Sequence, residues 1–183
     1  SLGVRQWGTY FGGAGAEIPN NLTYDNSGNI YMVGAAQSPT GVASVGAHQT
    51  VHGGGSYDAF IAKFTTGGAF VWATYCGGNN DDRANSCAID GSGNVYIAGY
   101  SVSSDANTIG TPGSYGPTYT GPAAFFAKFN SSGVRQWGSF YQGCSEFFGC
   151  AVDGTGNLYL AGSVSYSFAS ATTSGSHQQT FGG

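Results

Sequence analysis

Trp7, Trp72 and Trp137 stand 65 residues apart, and their surroundings repeat with them. Val4-Arg5-Gln6-Trp7-Gly8 returns as Phe70-Val71-Trp72-Ala73-Thr74 and as Val134-Arg135-Gln136-Trp137-Gly138. Downstream of each lies a second block: Asn29-Ile30-Tyr31-Met32-Val33-Gly34, Asn94-Val95-Tyr96-Ile97-Ala98-Gly99 and Asn157-Leu158-Tyr159-Leu160-Ala161-Gly162. A third occurs twice, as Ala59-Phe60-Ile61-Ala62-Lys63-Phe64 and Ala124-Phe125-Phe126-Ala127-Lys128-Phe129. Blocks in one order at one spacing are the mark of a tandem structural unit, which buries its apolar surface against its neighbours.

Each unit reads as four short strands. In the middle copy they run over 86–90, 94–101, 123–129 and 134–141, with Gly91-Ser92-Gly93 and Asn130-Ser131-Ser132-Gly133 as hairpin turns. Aromatic and β-branched residues bounded by Gly, Asn and Ser are strand signals, and no segment keeps a helical period. A repeated meander of four antiparallel strands is the blade of a β-propeller. The expected fold is therefore all-β: residues 1–11 an outer strand of a preceding blade, 12–76 a first full blade, 77–141 a second and 142–183 part of a third. A closed ring takes about 4–8 blades, so this chain is not expected to close one alone.

Composition narrows the function. The 33 glycines suit many tight turns, and the 12 Tyr, 12 Phe and 3 Trp suit packed sheet faces. Net charge is −4, and the only basic residues, Arg5, Lys63, Arg83, Lys128 and Arg135, are dispersed. Nucleic-acid binding and polybasic membrane attachment therefore have no electrostatic footprint. No apolar run approaches the ~20 residues of a membrane-spanning helix.

These blocks resemble the bacterial β-propeller repeat family called SBBP. The resemblance rests on Ile89-Asp90-Gly91-Ser92-Gly93-Asn94-Val95-Tyr96-Ile97-Ala98-Gly99, on Asp58 to Phe64, on Trp72-Ala73-Thr74-Tyr75-Cys76-Gly77-Gly78, and on Gly46-Ala47-His48-Gln49-Thr50 with its echo Ser176-His177-Gln178. The Val-Arg-Gln-Trp-Gly variant is similar to copies in large exported surface proteins of Bacteroidetes-like bacteria. One departure stands out: Asp58 has Ala123 in its place in the next copy.

Several residues are candidates for chemistry. Cys76 and Cys87, then Cys144 and Cys150, fall in pairs between a fourth strand and the next first strand. An even count with local spacing suggests disulfides Cys76–Cys87 and Cys144–Cys150, hence an oxidising compartment. Neither spacing is that of a metal-binding thiol pair. Asp25, Asp90 and Asp153 each precede a Gly-Asn turn. They could ring a cation, calcium being the one cofactor to consider, but the favoured expectation is that each caps its own hairpin. Glu17, Asp81-Asp82 and Glu146 recur in the loops before the first strands, as solvated loops or inter-blade braces do. His48 and His177 share a place with Tyr115, so packing is expected there; His52 stands alone beside Gly53-Gly54-Gly55. Asn21-Leu22-Thr23 and Asn130-Ser131-Ser132 match the N-glycosylation pattern, of little weight in a bacterial protein. Tyr31, Tyr96 and Tyr159 with the three Trp read as inter-blade core, or else as a surface for stacking glycans.

The expected function follows from what repeats. No catalytic constellation is legible, so the chain is not expected to be an enzyme. The reading is a secreted or cell-surface structural or adhesive module of a bacterium. It would contact other copies or other parts of a larger surface assembly, without nucleic acid or membrane insertion. The alternative is an extracellular glycan-binding propeller.

Overall fold

The computed structural model describes residues 2–104, 108–119, 121–164, 172–174 and 176–178. Every regular element among them is a β-strand. Strands β1 (Glu17–Tyr24), β2 (Ile30–Ala36), β3 (Asp58–Phe64) and β4 (Phe70–Cys76) form one antiparallel meander. A second consists of β5 (Asp82–Ile89), β6 (Val95–Ser101), β7 (Ala123–Phe129) and β8 (Arg135–Tyr141). Strands β9 (Cys144–Val152) and β10 (Leu158–Val164) start a third. The three sheets are propeller blades, and they do not close a ring. Residues 2–16 contain no strand, so Trp7 lies outside the ladders while Trp72 and Trp137 sit in β4 and β8. Among the described residues no third strand stands beside 4–11 to hydrogen-bond with it.

The blades fan about one side. First strands pack on first strands, β1 on β5 and β5 on β9, whereas β4 and β8 are not packed together in this way. Strands β1, β5 and β9 are thus innermost. Three cores result. Tyr31, Val33 and Ile61 of the first blade meet Cys87, Ile97 and Phe125 of the second. Ala98, Ala124 and Phe126 meet Cys144, Phe147 and Leu160. Phe60, Ala62 and Tyr75 on the far face of the first blade pack on Phe11 and Val42. Central strands covered on both faces need apolar residues at consecutive positions, which is why Asp58–Phe64 does not alternate.

The hairpins explain the turn motifs. Asp25 N–H donates to Asn29 O and Gly28 N–H to Asp25 O, at 3.0 and 2.9 Å, with Gly28 at φ +78°. This is a tight hairpin whose last turn residue is left-handed, a conformation glycine adopts without strain. The β5–β6 and β9–β10 turns repeat it with Gly93 and Gly156.

Candidate functional site: the seams between blades

The carboxylates of the repeated hairpins face inward on themselves. Asp25 Oδ1 accepts the Ser27 and Asn29 N–H groups, both at 2.9 Å, and Oδ2 accepts Asn29 Nδ2 at 2.8 Å and Tyr31 Oη at 3.2 Å. Asp90 and Asp153 make the same four bonds with Ser92, Asn94 and Tyr96 and with Thr155, Asn157 and Tyr159. Burial works to raise the Asp25 and Asp90 carboxyls, but these bonds win and hold both below the usual range. At exposed Asp153 the bonds from Asn157 and Thr155 dominate, and its carboxyl is lowered as well. Each Asp locks the turn to the tyrosine of the following strand.

That tyrosine begins a stack across the seam. Lys63 Nζ lies 4.9 Å from the Tyr31 ring centroid, and Trp72 meets the same ring edge-on at 6.2 Å. The Trp72 indole N–H and Lys63 Nζ both donate to Ser131 O in the β7–β8 turn of the next blade, at 3.1 and 3.2 Å. A Cβ on Gly133 would stand 2.9 Å from the Trp72 ring, so the turn seats flat against the indole only because that position is glycine. Trp7 repeats the contact one blade earlier, donating to Thr66 O at 3.0 Å over Gly68. The third copy has the same lysine, tryptophan and tyrosine in place. Lys128 and Trp137 lie on Tyr96, and among the described residues Tyr115, Gln136 and Trp137 line a cavity of about 480 Å³. At Trp72 only about 60 Å³ remains beside Ser132 and Gly133.

A second set of bonds joins the inner strands. The β1–β2 ladder skips Asn20, and the β5–β6 ladder skips Asn85. These bulges turn each amide toward the neighbouring blade. Asn20 Nδ2 donates to Ala84 O at 3.0 Å; Asn85 Nδ2 donates to Phe147 O at 2.9 Å and Glu146 Oε1 at 2.8 Å. Glu146 is therefore a brace between blades. Glu17 Oε1 accepts Ser38 N–H at 3.3 Å and Oε2 accepts Gly13 N–H at 3.2 Å, and Asp81 Oδ1 takes the Ser56 and Tyr57 N–H groups.

The cysteines correct the sequence reading. Cys76, Cys87, Cys144 and Cys150 are all free thiols. Cys144 and Cys150 lie on the single extended strand β9, opposite Val164 and Leu160. Those partners stand four residues apart on β10, a span of about 13 Å, whereas a disulfide needs Cα atoms within about 7 Å. Cys87 turns to the preceding blade, with Sγ 3.6 Å from Asn21 Oδ1. Cys150 does the same one blade on, 3.5 Å from Ser86 Oγ. Burial pushes the Cys76 and Cys87 thiols up to about 12, so these are packing residues.

The histidines divide. His48 packs edge-on to Phe129 at 5.9 Å; burial pulls it down to about 4, and Arg135 adds to the fall. His177 is exposed and lies in no strand. His52 accepts Gly54 N–H on Nδ1 at 3.2 Å and places Nε2 3.8 Å from Asp58 Oδ1. Of the glycosylation-pattern residues, Asn21 faces Cys87, and Asn130 Oδ1 caps its own turn through the Ser132 and Val134 N–H groups. Among the described residues no helix is long and apolar enough to cross a membrane.

The seams, the four-stranded meanders and the repeated hairpin lock together describe one kind of unit. Residues 6–39 and 71–105 match the sequence model of a beta-propeller repeat, SBBP. Each matched segment runs from the tryptophan of one blade through the first two strands of the next, so it spans a seam. The matched repeats thus contain the hairpin carboxylates Asp25 and Asp90, the bulged Asn20 and Asn85, and the stapling Trp7 and Trp72. No curated protein matches the chain.

Proposed function

We propose that this chain is a structural or adhesive repeat module of a secreted or cell-surface bacterial protein, acting through protein–protein contacts and not by catalysis. The observation that carries the reading is the filled seam at Trp72, where one blade holds the turn of the next. The Trp72 socket holds a turn, and among the described residues Trp137 lines an aromatic cavity of about 480 Å³. The opposite face of the first blade adds a groove of about 420 Å³ lined by Trp7, Phe11, Leu22, Met32 and Phe60. Both surfaces have the shape and chemistry of a blade face, and the partner is another blade of this type, from the same large surface protein or from another copy. The free thiols withdraw the support that disulfides would have given to an oxidising compartment. The surface location then rests on the resemblance to exported repeat proteins and on the polar sequences 37–57 and 102–122 that follow β2 and β6.

Sedimentation of the full chain tests the contact reading. Self-association that Trp137→Ala weakens is expected; a monomer at all concentrations counts against it. Protease shaving of intact cells tests the location, and loss of the chain's peptides to protease is expected. A glycan-binding propeller is the second reading, favoured by Tyr115, Trp137 and Gln136 around one cavity. Saturable binding on a glycan array, abolished by Trp137→Ala, would select it.

A further inference from the structure

One polar cluster does not repeat. Asp58 opens β3 opposite Ala36, and Asp82 opens β5 opposite Ser101. Neither exposes any surface. The Gly77-Gly78 link draws them together: a Cβ on Gly77 would stand 2.6 Å from the Asp58 carboxyl carbon and 2.8 Å from Asp82 Oδ2. The two carboxyl groups therefore lie within the sum of those distances. Asp58 Oδ2 accepts Gly53 N–H at 2.7 Å and Gln49 Nε2 at 2.9 Å. Asp82 Oδ2 accepts Gly78 N–H at 2.7 Å and Ser103 Oγ at 2.8 Å. Asp82 Oδ1 is buried with no hydrogen-bond partner among the described residues, and so is His52 Nε2.

At the next seam the set is gone together. Ala123 stands opposite Ser101 where Asp58 stood opposite Ala36, and Cys144 opens β9 opposite Val164 where Asp82 opened β5. A structural need common to all blades would have kept the pair. Two ionised carboxylates this close in a buried seam repel each other, and burial penalises both. Calcium would answer the charge but needs six to eight oxygens, and among the described residues no group of three or more His, Cys, Asp or Glu is placed to hold a metal ion. A proton needs one vacant oxygen, and Asp82 Oδ1 provides it.

We propose that Asp58 and Asp82 hold one proton between them near neutral pH and form a pH-sensitive clasp between the first two blades. Burial pushes the Asp82 carboxyl up to about 7 against the pull of hydrogen bonds from Ser101, Gly78 and Ser103, and the negative Asp58 adds a smaller push upward. The titratable and charged groups around the pair are His52 before β3, Tyr75 and Cys76 on β4, Asp81 and Arg83 at the start of β5, and Tyr100 on β6. The field of Arg135 on β8 reaches Cys76 and His48.

The sign follows from linkage. A carboxyl raised from 3.8 to about 7 on folding contributes stability that is complete below the lower value and is lost as pH rises through the upper one. His48 runs the other way: folding lowers it from 6.5 to about 4, so its contribution is lost as pH falls across that range. The wild-type curve alone mixes the two, and the difference between wild type and Asp82→Asn separates them.

Urea unfolding of the full chain from about pH 5 to about pH 8 is the test, because the difference isolates the one proton. The Asp82→Asn and wild-type midpoints should coincide near the acid end, with the variant higher at the alkaline end. A gap that stays constant across the range overturns the proposal. Infrared spectroscopy reads the proton directly, even if Asp82→Asn fails to fold. A protonated carboxyl band present at the acid end of the range and lost at the alkaline end supports the clasp; its absence at the acid end overturns it. Calcium that stabilises wild type but not Asp58→Asn would make the pair a cation site and also overturn the proposal.

Discussion

Asp90 illustrates how one side chain sets a hairpin. Its two oxygens collect four hydrogen bonds from Ser92, Asn94 and Tyr96, and Lys128 Nζ adds an ion pair at 3.8 Å. Replacing Asp90 with Ala leaves those donors to water or to nothing, and the loss should be about 1–3 kcal/mol, read as a lower urea midpoint. Asp90→Asn should cost less, because an amide oxygen still accepts. The carboxyl is held low in the folded chain, so its contribution is present above the ordinary carboxylate range and is lost as pH falls below it. Acid titration should therefore destabilise wild type more than Asp90→Asn, measured by thermal midpoints below pH ~4.

Glycine placement decides whether one blade can seat on the next. Gly133 has φ +82° and lies under the Trp72 ring, whereas Gly91 in the β5–β6 turn has open space around it. Gly133→Ala meets both a strained backbone and the indole and should cost about 1–3 kcal/mol. Gly91→Ala should stay within about 0.5 kcal/mol of wild type. Trp72→Phe keeps a ring but loses the N–H to Ser131 O, a change of about 1 kcal/mol. Trp72→Ala empties the seam and should cost about 3–5 kcal/mol. Chemical denaturation of the four variants checks the order.

For the whole molecule, cohesion comes from seams, because each blade is only one sheet thick. The packed seams bury Tyr31, Ile61, Ile97 and Phe125 together, and the Asn20 and Asn85 amides pin the inner strands. No disulfide contributes, so reductant should leave the thermal midpoint unchanged. In native protein Cys76 and Cys87 should resist a thiol-reactive maleimide, and all four thiols should label after denaturation, as counted by intact mass. Native labelling of Cys76 would show that the first seam opens.

The fold was legible in the sequence because a blade is built from local hairpins, and hairpins are written in adjacent residues. Gly93-Asn94 after Asp90 specifies a turn, and the 65-residue register specifies that the turn recurs. Phe125-Phe126 shows a strand covered on both faces, but not by what. Burial was decided by tertiary position: Leu22 and Cys87 occupy equivalent places, yet Leu22 is exposed and Cys87 is buried, because β5 lies between two sheets and β1 does not. Spacing along the chain paired Cys144 with Cys150, and only the extended course of β9 held them apart. Asn20 and Asn85 kept the 65-residue register, but what they bind depends on bulges that no residue type announces. Asp58 and Asp82 are 24 residues apart and belong to different blades. Their meeting depends on how one sheet seats on the next, a relation between surfaces that local sequence does not encode.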